Sequence, residues 1–384
     1  MESVSDLRRA PRIPTARIVR CAFVMIAARL GSLNALEQNF HRRFWEKFLD
    51  GPTPSADTIG RVVDLIPLEE VRALQKRTYA KFRRNKIPLG SIGGMWVLVL
   101  DGHESHVSSK RKCTCCLERT VKTAKGERKE YYHRHVLALL LTTYGGFLLD
   151  VEAQRSGENE VAAARRLLER TLAEHPRAFD IVVADALYAQ APFFNFLLDR
   201  GKHAMAVLKH KGRHLRVDAE SLCAHSPCRS ISGQKFRAKI WDVEGLETWE
   251  AVKTPVRVVR SVKRQLTGEE EEEERNWCWV TTAPSSRLST EAVWEIGHAR
   301  WCVENQGFNE LVNHWHADHI YKHGESAILC LHLLTMLAYN LFHAFYYRNL
   351  KPAFRRLHSM IDIGRDMMSE LYQGADAPVA TRSP

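Results

Sequence analysis

The sequence predicts an α/β protein: a mixed central sheet with flanking helices, preceded by a helical domain and interrupted by an all-β insertion. Three observations carry this. From residue 94 onward, short and nearly continuous apolar runs recur, as strands buried on both faces require. Residues 1–90 instead place apolar residues at three- and four-residue spacing. Residues 210–280 alternate β-branched and charged residues, the pattern of antiparallel strands. A length of 384 residues exceeds what one core usually serves, so more than one domain is expected.

The elements follow in order. The stretch RIVRCAFVMIAARLGSLNALEQNFHRRFWEKFL reads as helical until GPTPS breaks it. Ser55 or Asp57 is a natural cap for the next helix, and Pro67-Leu68-Glu69-Glu70 opens another with acidic residues in its first turn. MWVLVLD is a buried strand ending at Asp101. HVLALLLTT (135–143) and FLLDVEAQ (147–154) follow as two more, joined by a tight turn. Ser156 is the expected cap of a helix running ENEVAAARRLLERTLAEH. FDIVVAD is the next buried strand, ending at Asp185, then a short helix near 190–200 and the strand HAMAVLK. Three adjacent strands with tight connections imply a mixed sheet. The insertion, 210–280, holds six consecutive glutamates, Glu269 to Glu274, read as a solvated hairpin loop. Helices are expected at about 290–313 and 324–349, and residues 351–384 as one more helix and a frayed tail. The expected division is thus 1–90, 91–209, 210–280, 281–350 and 351–384.

The formal charge of +11 makes a polyanion the first partner to consider. Residues 1–90 hold 17 Lys and Arg against 9 Asp and Glu, most of that excess. Lys81, Arg83, Arg84 and Lys86 close the segment, and they are candidates for DNA contact beside the plainer reading of a solvated helix face. Nine cysteines at unrepeated spacings favour reduced thiols, and a cytoplasmic protein is expected. The apolar stretch Cys21–Ala28 is too short to span a bilayer, so no membrane partner is expected.

Asp101 and Asp185 each end an apolar strand, where open α/β sheets place their chemistry. Glu304 lies in the helical stretch GHARWCVENQGFNEL, four residues after Arg300 and so on the same face. Three carboxylates meeting at one place repel unless a cation lies between them. Oxygen ligands without His or Cys suit magnesium, with manganese as its substitute, and two such ions can promote attack on a phosphodiester.

These residues resemble the DDE transposases of bacterial insertion sequences. The strand ending in DG at Asp101, the strand followed by ALY at Asp185, and the helix RWCVEN carry the likeness, over roughly residues 15–350. The resemblance implies a ribonuclease-H-like core with Asp101, Asp185 and Glu304 as metal ligands and catalytic residues. The separations of 84 and 119 residues fit, the second lengthened by the insertion. The family's late signature is Y-x2-R-x3-E-x6-K. Arg300 and Glu304 keep its centre, but Gly297 and Leu311 stand where the tyrosine and lysine would. Arg300 would contact a DNA phosphate or orient Glu304, and Asn305 would support it. Lys209, Lys211 and Arg213 are further candidate backbone contacts. The implied activity is metal-dependent cleavage of double-stranded DNA at terminal inverted repeats and transfer of the 3′-hydroxyl into target DNA, by a homodimer on DNA. Two alternatives stay open: a ribonuclease-H-like nuclease without strand joining, and a non-catalytic, domesticated DNA-binding protein.

Cys113 and Cys116 have the C-x2-C spacing of a zinc half-site, with His106, His133 or His135 near enough in sequence to complete it. An ordinary hairpin carrying reduced thiols is the other reading. His103 lies two residues past Asp101 and is either part of the site or a hydrogen-bonded histidine at a strand end.

Overall fold

The computed structural model describes residues 1–85, 90–124, 126–142, 145–209, 213–265 and 274–376. Lys86, Lys211 and Glu269–Glu273 lie outside them. The chain begins with five helices, α1 (Thr15–Ala27), α2 (Leu33–Gln38), α3 (Arg43–Leu49), α4 (Ala56–Val63) and α5 (Leu68–Arg84). Ser55 caps α4 by accepting from Thr58 N–H at 3.2 Å, and α5 starts at Leu68 with Glu69 and Glu70 in its first turn.

Strands β1 (Val97–Ser108), β2 (Leu117–Thr123), β3 (Gly126–Thr142) and β4 (Gly145–Ala153) follow, then α6 (Glu160–Glu174), β5 (Ile181–Ala184), α7 (Ala191–Leu198) and β6 (His203–Val207). The helix cap expected at Ser156 is Asn159, whose side chain accepts from Ala162 N–H at 2.9 Å. Gly157 turns the chain back at φ +80° first, so the helix starts three residues later. The central strands run β4–β3–β1–β5–β6, with β1, β5 and β6 parallel and β3 antiparallel to both β1 and β4. This is the mixed, ribonuclease-H-like order.

The insertion opens with a helix, α8 (His214–His225), which corrects the all-β expectation. Leu215, Ala219 and Cys223 recur every four residues and are buried, a helical stripe that the neighbouring strand-like runs obscured. Strands β7 (Arg229–Gly233), β8 (Phe236–Leu246), β9 (Val256–Gln265) and β10 (Glu274–Thr281) then continue the central sheet, because β10 pairs antiparallel with β6. Helices α9 (Thr290–Cys302), α10 (Asn309–Trp315), α11 (Glu325–Asn349), α12 (Pro352–Leu357) and α13 (Met360–Asp376) complete the chain. A π-helical turn, Val303–Phe308, joins α9 to α10.

Alternation sorts the strand residues between two cores. Val97, Val99, Leu137, Leu139, Ile181, Val183 and Met205 face α1–α5, α9 and α11. Leu98, Leu100, Val136, Ala138, Val182, Ala184 and Ala206 face α6, α7 and α8. Burial on both sides explains the continuous apolar runs. Helix α11 is long and apolar enough to cross a membrane by composition, but 78% of its most apolar window is buried, against β4, α1 and α5. Most buried apolar residues of 1–85 share the first core, Tyr79 and Phe82 of α5 join the second, and Arg72 of α5 is buried with its Nε 3.2 Å from Asp150 on β4.

Candidate active site

Strand register brings the two aspartates together. Val99 of β1 pairs with Val183 of β5 in parallel. Asp101 and Asp185 each lie two residues further on, on adjacent chains about 4.8 Å apart. Asp185 directly follows β5, but β1 continues past Asp101 to Ser108 through its pairing with β3, so the strand end expected at Asp101 is a mid-strand position. Both have the parity of Val99 and Val183, which selects the face carrying α9 and α11. Asp185 is also held as the cap of a 3-10 turn, its Oδ1 accepting from Leu187 N–H at 2.8 Å. Asp101 Oδ1 accepts from Gly102 N–H at 2.9 Å.

Glu304 arrives on the π-helical turn, half exposed. A small cleft lined by Val99, Asp101 and Leu137 is closed by Gly307, Phe308 and Leu311, so the turn lies directly over Asp101. Arg300 spans the two. Its Nη1 is 3.7 Å from Asp101 Oδ2 and its Nη2 is 3.8 Å from Glu304 Oε2. The side chain is only 8% exposed and its Nε makes no hydrogen bond. The guanidinium is therefore held by charge at longer than hydrogen-bond range, with donors still to satisfy.

A fourth carboxylate, absent from the sequence expectations, approaches from the other face. Glu160 at the start of α6 fills the space beside Gly102: a Cβ there would lie 2.1 Å from Glu160 Oε2. The buried Tyr188 hydroxyl donates to Glu160 Oε1 at 2.8 Å, and Arg134 is 3.7 Å from Oε2. The glycine after Asp101 and the tyrosine three residues after Asp185 are thus parts of one arrangement. The DG and DALY patterns contained that signal, but nothing in sequence pointed to Glu160 itself.

Burial pushes the Asp101 carboxyl up to about 6; Arg300 opposes this, while Glu304, Glu160 and Asp185 add to it. Burial likewise raises Glu160, with Tyr188 and Arg134 opposing. Four carboxylates against Arg300 and Arg134 leave a deficit of positive charge. An all-oxygen donor set with that deficit fits a hard divalent cation such as magnesium.

Two departures from the late signature have packing explanations. A Cβ at Gly297 would lie 2.4 Å from the indole of the buried Trp279 on β10, so this position has no room for tyrosine. Leu311 is 4% exposed and belongs to the core beneath the sheet. The π-helical turn shifts the helix phase by roughly one residue between Glu304 and Leu311, which turns that position inward.

The candidate DNA contacts divide between the two ends of the sheet. Lys209 is exposed and follows β6, whose Ala206 pairs with Ala184, so it lies at the end bearing Asp185. Arg213 donates to the Ala189 carbonyl at 2.7 Å and so ties α8 to the loop after Asp185. Lys81, Arg83 and Arg84 are exposed at the far end of α5. Arg83 stacks on Trp96, five residues before Asp101, about 16 Å along the strand. The side chain of Asn305 lies outside what is described, as does that of His106. His103 stacks on Phe308 with centroids 5.3 Å apart, which supports the π-helical turn. Its Nε2 is buried without a hydrogen bond, and burial lowers its pKa.

Cys113 and Cys116 come together with His133 of β3, as the sequence allowed, and with His323 from the segment before α11, which it did not suggest. His135 packs instead against His332.

Residues 92–341, well over half of the chain, match the family model of the transposase DDE domain. No curated protein matches the chain.

Proposed function

Because the chain belongs to the transposase DDE domain family, we propose that it cuts DNA at the terminal inverted repeats of an insertion sequence and joins the freed 3′ ends to target DNA. The observation that carries this is the meeting of Asp101, within β1, and Asp185, just after the adjacent β5, under the turn bearing Glu304. These three carboxylates would hold magnesium, or manganese in its place. The ion supplies neutralisation of phosphate charge and activation of the attacking oxygen.

The chain's own residues supply the rest. Arg300, poised between Asp101 and Glu304, takes a phosphate oxygen with its free donors and keeps the two carboxylates apart. Asn305, next to Glu304, supports that contact. The stacked His103 and Phe308 hold the turn over the sheet. In the first step water attacks the phosphodiester at the element end, the P–O3′ bond breaks, and a 3′-hydroxyl and a 5′-phosphate result. In the second that hydroxyl attacks a target phosphodiester, whose own 3′ oxygen leaves, so the number of phosphodiester bonds is conserved. No covalent enzyme intermediate is required.

Lys209, Lys211 and Arg213 would track the backbone beside the site. The basic helical segment 1–90, including Lys81, Arg83, Arg84 and Lys86, would bind the element end. Pairing of two ends calls for a homodimer on DNA, and the bacterial cytoplasm is the expected compartment. The missing Tyr and Lys give little support to a domesticated, non-catalytic protein, since Gly297 and Leu311 are packing positions.

The test uses a duplex carrying the repeats that flank the coding region, incubated with full-length protein and magnesium. Nicking and joining that vanish in Asp185→Ala are expected. Cleavage without joining would favour the nuclease reading, and full activity in Asp185→Ala would overturn the site.

A further inference from the structure

We propose that Cys113, Cys116, His133 and His323 bind a zinc ion that fastens the β1–β2 connection and β3 to the segment entering α11. The four residues come from three separate parts of the chain, and their ligand atoms all lie within 4.8 Å of one another. The two sulfurs are 3.6 Å apart. His133 Nε2 is 3.5 Å from Cys113 Sγ and 3.4 Å from Cys116 Sγ. His323 Nε2 is 3.4 Å from Cys116 Sγ and 3.3 Å from His133 Nε2.

A tetrahedron with Zn–S of about 2.3 Å and Zn–N of about 2.0–2.1 Å has edges of roughly 3.8 Å between sulfurs, 3.5 Å between sulfur and nitrogen, and 3.3 Å between nitrogens. These five measured edges match that figure. Hydrogen bonds run pairwise along lines, whereas here the atoms surround a common centre. Sulfurs 3.6 Å apart are also not a disulfide. Cys113 N–H donates to Cys116 Sγ at 3.2 Å, which stabilises a thiolate there. His133 and Cys116 are buried, and Cys113 and His323 half-buried, as suits a structural site with no open position.

The placement gives the ion a task. His133 pairs with Ser105 in the β1–β3 register, four residues beyond the Asp101–Leu137 pair and about 13 Å along the strand. His323 follows α10, which continues the helix that carries Glu304. Zinc here would lock the sheet bearing Asp101 to the segment beyond Glu304, apart from the acidic site.

The experiment measures metal in full-length protein purified from zinc-supplemented culture, and then the absorption of chelated protein refilled with cobalt(II). We expect one zinc per chain, kept by Asp101→Asn and Asp185→Asn and lost from Cys113→Ser/Cys116→Ser. Cobalt should give thiolate charge-transfer bands in the near ultraviolet, rising by about half in His323→Cys as a third thiolate joins. Chelation should lower the melting temperature, and zinc but not magnesium should restore it. Should the double serine variant fail to fold, the cobalt spectra of wild type and His323→Cys decide. Zinc-free protein with no thiolate band, a different metal at one per chain, or zinc lost only from the aspartate variants would overturn the proposal.

Discussion

Arg300 approaches Asp101 to 3.7 Å across the interface between α9 and the sheet, while remaining 3.8 Å from Glu304 on its own helical segment. It is the cation that opposes the rise in Asp101's pKa. Removing it in Arg300→Ala should move the acid limb of the DNA-cleavage profile to higher pH. The rate should fall on the order of a hundredfold, the usual loss for one buried donor to developing charge. Arg300→Lys should recover part of the rate, since it restores charge but not two-pronged geometry. An unchanged acid limb in Arg300→Ala would separate Arg300 from Asp101.

Asp101 should weaken the metal-free fold at neutral pH. Burial pushes its carboxyl up to about 6 in the folded protein, from an ordinary value of 3.8. The folded state therefore holds the extra proton between these values, and stability falls as pH rises through that window. Above it the penalty is complete, at most about 3 kcal/mol. In chelator, Asp101→Asn should melt higher than wild type at pH 7.5, and the two should converge below about pH 4. Magnesium should raise the melting point of wild type alone, because it binds the ionised site. Equal melting of the two proteins at both pH values would contradict this.

Restoring the family signature should harm this chain. Gly297→Tyr drives a side chain into the Trp279 indole, and Leu311→Lys buries an ammonium in the core. Urea unfolding should show losses of about 1–3 kcal/mol or more for the first, and a comparable or larger loss for the second. A stable Gly297→Tyr protein would mean that β10 can yield.

Charge reversal should distinguish the two ends of the sheet. Lys209→Glu lies at the end of the sheet that bears Asp185 and should weaken binding to any duplex, lowering the salt slope by about one. Lys81→Glu lies at the opposite end and should spare binding to non-specific duplex while reducing retention of the element end. Equal losses on both duplexes for Lys81→Glu would argue against an end-binding role for α5. Electrophoretic mobility shifts over a salt series would measure both.

The central strands were legible, and the three carboxylates could be nominated, because their signals are local. MWVLVLD and FDIVVAD show double-sided burial and an aspartate within seven residues each, although β1 runs on past Asp101 because Gly102–Ser105 still pair with β3. Glu160 and His323 were not legible. Each reaches its partners only across a fold contact, Glu160 to Gly102 and Tyr188, His323 to Cys116 and His133. Helix α8 was missed because a four-residue stripe of three small or apolar residues is weak beside strong strand patterns.

Periodicity, an aspartate closing each of two apolar runs, and the four-residue spacing of Arg300 and Glu304, all properties of neighbouring residues, were thus enough to establish the mixed sheet and to nominate Asp101, Asp185 and Glu304. Packing alone decided that β10 extends that sheet, that Trp279 excludes a side chain at 297, and that the ligand atoms of Cys113, Cys116, His133 and His323 come within 4.8 Å of one another. The reason is physical: periodicity specifies which way a side chain points, but only close packing specifies what it meets.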